Sequence, residues 1–166
     1  MSDVKALYDE DFVLWSKQQA EALRAAARGG TNQPIDWENV AEEIDSLGRS
    51  DKRGLRSHIR RIIEHLLKLE HSRAIAPRHG WVESIANARN EIEVLLEDSP
   101  SLKGEIVEFI AAELKRASRK VLRDLDDYGE LDGTSAARIA ARSYAPEEVL
   151  GDWFPPGPRK PARRTR

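Results

Sequence analysis

Residues 62–71 read "IIEHLLKLEH" and set two histidines and two glutamates among five apolar residues. Imidazole nitrogens and carboxylate oxygens are the donors of a carboxylate–histidine metal centre, and the same groups do general acid–base work. Helical geometry limits what they do here. Each residue advances ~100° around the axis, so His71 falls ~180° from the apolar centre at Ile62. His65 and His71 therefore do not share one ion on a straight helix. Glu64, Glu70 and His71 read as a solvated face, with Glu64 and Lys68 as an i,i+4 pair.

His65 lies ~60° off that centre, on the shoulder of the apolar stripe. His58 sits two turns earlier on the same shoulder, ~10 Å away along the axis, too far to ligate the same ion directly. Glu43, Arg89 and Glu113 occupy similar shoulders on other helical segments. If the segments meet in sequence order, some of Glu43, His65, Arg89 and Glu113 converge. Partly buried charges need partners, so the expectation is a hydrogen-bonded ion network. The sharper alternative is a metal-binding protein or enzyme using Glu43, His65 and Glu113, with Arg89 holding an anion. Helical bundles build such centres from Glu-x-x-His supplied twice, and this chain has no Glu-x-x-His. No catalytic residue, metal ligand set or cofactor is assigned from the sequence.

The elements that must position these residues are helical. Ala, Leu, Glu and Arg dominate, and these are strong helix formers. Apolar spacing at alternating steps of four and three predicts helices over residues 3–28, 37–47, 51–73, 81–97 and about 100–127. Gly29 and Gly30 stop the first. Asp36 caps the second, Val40, Ile44 and Leu47 face inward, and Gly48 ends it. Pro77 and Gly80 break the chain after the third. Ser99 and Pro100 open the fifth, and Gly129 follows it. One or two short helical pieces come next, with Pro146 opening the last. Trp153 and Phe154 pin a C-terminal strap to the body. The expected fold is all-α: an antiparallel bundle of four long helices, one short helix and that strap, in a single domain over residues 1–154.

Composition bounds the function classes. With 40% hydrophobic and 34% charged residues in a chain of 166, one globular domain with a sizeable core is expected. The chain has no cysteine, which excludes disulfides, thiol nucleophiles and iron–sulfur ligation. No apolar run reaches membrane-spanning length, and the first residues lack a signal-peptide pattern, so a cytoplasmic location is expected. The net charge of −2 becomes −7 for residues 1–154 once the five cations of the tail, residues 155–166, are removed. That tail is expected to be disordered, and the acidic body is a poor nucleic-acid binder by bulk charge. The stretch "GRSDKRGLRSHIRR" offers a second alternative, a nucleic-acid-associated factor using residues 51–73 and the tail. The first reading of that stretch is a basic helix screened by the acidic one before it.

"LYDEDFVLW", "ENVAEEIDSLGRSDKRGLRSHI", "HLLKLE" and "GWVESIANARNEIEVLLEDSPSL" together carry a resemblance. Over residues 7–154 the chain is similar to the bacterial family catalogued as domain of unknown function, number twenty-nine. Tyr8, Trp15, Glu42, Glu43, Gly48, Arg49, His65, Lys68, Trp81, Arg89 and Pro100 are among the matching positions. Departures fall at Leu69, where the family commonly has an aromatic, and at "RSYAPEEVL". The resemblance implies an all-helical protein and no assigned activity. The function expected is a non-catalytic cytoplasmic helical protein acting on an unidentified protein partner or as a homo-oligomer.

Overall fold

The computed structural model describes residues 4–30 and 33–157. Most of the basic tail, residues 158–166, lies outside the described residues, so the disorder expected there does too. The described chain is all-α: α1 Val4–Glu10, α2 Phe12–Arg28, α3 Trp37–His71, α4 Arg78–Asp98, a 3-10 helix Pro100–Glu105, α5 Ile106–Asp127, α6 Gly133–Ala141 and α7 Pro146–Leu150. No strand occurs among the described residues.

Several expected boundaries move: Gly80, expected in the break, lies inside α4, and the helix expected over about 100–127 opens as the 3-10 helix. The helix expected over residues 3–28 is two helices, because Asp11 acts as an N-cap: its Oδ1 accepts from the Leu14 N–H at 2.8 Å. The helices expected over 37–47 and 51–73 are one helix of 35 residues. Gly48 does not end it. A Cβ at Gly48 would stand 2.3 Å from Ser16 Oγ and 3.5 Å from the Val13 carbonyl oxygen. The glycine is there because α2 passes close by, not because the chain turns. Asp36 does cap α3, with Oδ1 accepting from Asn39 N–H at 3.3 Å. Gly129 ends α5 at φ 67°, and the Glu130 N–H donates back to the Leu125 carbonyl at 2.7 Å.

The described contacts form two compact units, Met1–Ser57 with Glu91–Ile106 and His58–Asn90 with Val107–Arg166. In the first, α2 and α3 approach closely where Gly48 meets Ser16 and Val13, and Ser16, Ala20, Ala41 and Gly48 are all buried. Leu55, Ile92, Leu102 and Ile106 complete this core. Two helix starts cap each other across it. Ser99 Oγ accepts from the Val13 N–H at 3.1 Å, while Asp11 accepts from the Ser101 N–H at 2.6 Å and the Ser101 hydroxyl at 2.9 Å. Each side chain satisfies orphan donors of the other's helix, which is how Asp11 and Ser99 are buried without a net penalty. The price of small-residue packing is that α3 turns its larger side chains away. Val40 and Leu47, expected inward, are 40% and 48% exposed.

The second unit has the larger aliphatic core. Ile59, Ile62, Ile63, Leu66 and Leu67 of α3 are fully buried, with Ile85 of α4 and Ala117 and Val121 of α5. Each large aliphatic side chain so buried contributes about 1.5–3 kcal/mol. Ile139 of α6 and Val149 of α7 extend that core toward the C-terminus.

Candidate functional site

Of the four singled-out residues, Glu43 belongs to the first unit and is exposed, against the expectation of a half-buried shoulder position. The same rotation of α3 that exposes Val40 and Leu47 explains it. His65, Arg89 and Glu113 belong to the second unit. Among the described residues no hydrogen bond or ion pair joins any two of these three.

Glu113 is 1% exposed on α5. Its carboxylate stands 3.7 Å from the Arg60 guanidinium of α3 and 3.6 Å from that of Arg116, one turn along. Two guanidinium groups are the compensation that a desolvated carboxylate requires.

His65 is partly buried, and its Nδ1 has no hydrogen-bond partner among the described residues. Burial, followed by the charges of Lys68, Lys120 and Arg61, pushes its pKa down to about 4. The ring is therefore neutral at physiological pH and a weak base. The sign of its effect on stability follows. The unfolded ring binds a proton near pH 6.5 and the folded ring only near 4, so stability is complete above pH 6.5 and falls as pH drops to 4. His65→Gln removes this contribution. The fall in urea midpoint between pH 7 and pH 5 is expected to be smaller in that variant than in the parent; equal falls would show that His65 protonates freely when folded.

Arg89 holds backbone, not an anion. Its Nε donates to the Val149 carbonyl at 2.9 Å, and its Nη2 donates to the carbonyls of Glu148 at 3.0 Å and Trp153 at 2.8 Å. The guanidinium also lies 4.9 Å from the centre of the Phe154 ring. The expected pinning of the strap thus occurs, with Arg89 as its clamp.

A larger charged network was missed by periodicity. Arg142 follows α6 and donates through Nε and Nη2 to both Glu70 oxygens at 3.0–3.3 Å, and through Nη2 to Glu148 Oε1 at 2.9 Å. Its guanidinium lies 4.0 Å from the Tyr144 ring centre and 5.7 Å from that of Trp153. Glu148 Oε2 accepts from the Ala145 N–H at 2.8 Å, closing the start of α7. The Glu148 carboxyl is held below its usual value: burial alone would raise it, and the Arg142 hydrogen bond, the Ala145 N–H and the Arg142 charge together outweigh that. Burial pushes the Tyr144 phenol up. The face carrying Glu64, Glu70 and His71 is therefore not solvated as expected; their side chains are 15%, 15% and 10% exposed. Lys68 pairs with Asp124 of α5 at 2.6 Å, not with Glu64, which stands 3.8 Å from Lys120. The signal was the charged and aromatic content of "RSYAPEEVL", which no helical stripe accounts for.

The basic stretch is largely committed. Arg49 pairs with Glu42 and Asp45, and Lys52 with Glu105 at 2.6 Å. Among the described residues no three His, Asp or Glu side chains group to hold a metal ion. Nor is any described helix long and apolar enough to cross a membrane.

Comparison with known proteins agrees with the all-helical fold. Residues 7–148 match the model of a family described as "Domain of unknown function DUF29". No curated protein matches the chain. A crystal structure of an alpha-helical protein of unknown function from Rhodospirillum rubrum is similar, at 26% identity and a TM-score of 0.67, covering 89% of this chain and 91% of that one.

Proposed function

The chain belongs to the DUF29 family, and we propose that it is a non-catalytic cytoplasmic protein that works through protein–protein contact. The observation that supports this is the exposed apolar strip of α3. Val40 and Leu47 lie two turns apart on one face, about 10 Å along the axis, and are 40% and 48% exposed. Ile44 between them is partly exposed, and Ile35 just before the helix is 45% exposed. Single exposed aliphatics need no explanation, but a strip of this kind marks a surface that another protein covers.

Two of the singled-out charged residues support the same reading by being engaged elsewhere. Glu113 stands between two guanidinium groups, and Arg89 is bonded to three carbonyls.

Light scattering of the protein purified at native abundance tests the proposal. The expected mass exceeds the 18.7 kDa of one chain, through a second copy or a co-purifying partner, and falls to one chain in the Val40→Glu/Leu47→Glu variant. A mass of one chain at every concentration, with no companion and no response to the substitutions, would overturn it.

A further inference from the structure

We propose that the cavity between the end of α3 and α6 binds a small aromatic carboxylate. The cavity has a volume of about 520 Å³ and is lined by Glu70, His71, Arg138, Arg142, Trp153 and Pro155, among others. That volume lies within the range of small-molecule sites. It is carried by other residues than the α3 strip, so its failure and the failure of the protein-contact reading are separate results.

The charge balance inside the cavity selects an anion. Glu70 is the carboxylate on the wall, and it is already bonded by Arg142 through two nitrogens. Arg142 spends its remaining Nη2 bond on Glu148 and donates through Nη1 to the Ser143 carbonyl. Arg138 is different. It lines the same cavity, is exposed, and makes no hydrogen bond or ion pair among the described residues. The unspent charge is thus one guanidinium, whose planar fork matches a carboxylate. His71 adds no competing cation: burial lowers its pKa, the Glu70 charge opposes this, and Arg138 and Arg142 lower it further. Its neutral ring offers one N–H donor at the cavity wall.

The rest of the wall selects a flat apolar body. Trp153 and Pro155 line the same wall, and planar rings stack on an indole. A ligand with a carboxylate on Arg138 and a ring against Trp153 uses both at once. An aliphatic acid loses the stacking, and a neutral aromatic leaves Arg138 unpaired.

Titration of the full chain with 2-naphthoate, followed by amide and indole N–H shifts, tests this. Binding at about 1 mM or tighter is expected, with the largest shifts at Trp153, His71 and Arg138. The neutral 2-naphthalenemethanol is expected to bind roughly tenfold more weakly, and Arg138→Gln to weaken naphthoate by a similar factor. Arg138 is exposed, so the variant retains the parent's far-ultraviolet spectrum and melting temperature. Shifts spread over other apolar sites, equal binding of acid and alcohol, indifference to Arg138→Gln, or no shift up to about 10 mM naphthoate would each overturn it.

Discussion

Arg142→Ala is expected to lower the melting temperature by roughly 6–12 °C. The side chains of Arg142, Glu70 and Glu148 are 25%, 15% and 29% exposed, so the network is neither a surface pair nor a fully desolvated one. Removing the guanidinium leaves two carboxylates near one another without their cation. It also strips the Tyr144 and Trp153 rings of their contact with the charge. A buried pair broken in this way costs about 3–5 kcal/mol, and partial exposure takes the value to the lower end. For a domain of this length, 1 kcal/mol corresponds to about 2–4 °C. Arg142→Lys keeps the charge but lacks the planar fork, and falls between parent and alanine variant. The pH dependence has a definite sign. Glu148 titrates lower in the folded chain than unfolded, so its share of stability is present above the usual carboxylate value and lost as pH falls through the folded one. The gap between parent and Arg142→Ala therefore narrows toward pH 3. An unchanged melting temperature, or a gap that widens in acid, would show that Arg142 is not the tie.

Arg89→Met is the second large effect, and it is local. The three carbonyls it holds come from the last turn of α7 and from Trp153 beyond it. These acceptors have no helical partner, since α7 ends at Leu150. Methionine keeps much of the stem volume and removes every donor. Hydrogen bonds to a charged donor are worth about 1.5–3 kcal/mol each, and three on one group are not additive. A loss of about 3 kcal/mol is expected, concentrated in residues 146–157. Amide hydrogen exchange at Val149 and Leu150 rises at least tenfold in the variant, while exchange at Leu66 and Val121 changes by less. Arg89→Lys restores little, because one ammonium does not span three oxygens. Uniform acceleration across α3 and α5 would mean that the strap is part of the main cooperative unit rather than a segment clamped onto it.

What was legible in the sequence was the helical period, and what was not was rotation and depth. Leu55, Ile59, Ile62, Leu66 and Leu69 repeat at four and three, and all five are buried. Val40, Ile44 and Leu47 repeat at the same spacing, yet two of them are exposed. The difference lies in what each face meets. Gly48 lets α2 approach closely, and a Ser16 hydroxyl occupies the space a side chain there would need. Small residues read as weak positions in an apolar count, so close packing through them is invisible to it. Gly48 read as a helix end for the same reason. The capping residues Asp36, Pro100 and Gly129 were readable because each acts on its own helix. Asp11 and Ser99 act partly on each other's, which needs the fold. The candidate cluster suffered likewise. His65 and Arg89 are partly buried and Glu113 is fully buried, but the groups that Glu113 and Arg89 meet, Arg60 and the carbonyls of α7 and Trp153, lie outside any local pattern. Glu70 and His71 read as solvated because nothing in α3 announces that Arg142 covers them.

Hydrogen exchange on α3, compared between the protein purified at native abundance and the Val40→Glu/Leu47→Glu variant, tests the proposed contact surface most directly. The surface proposed here predicts that amides of residues 38–50 exchange faster once the substitutions release the partner, with residues 58–71 unaffected. Acceleration confined to residues 58–71, or no difference between the two preparations, would contradict it.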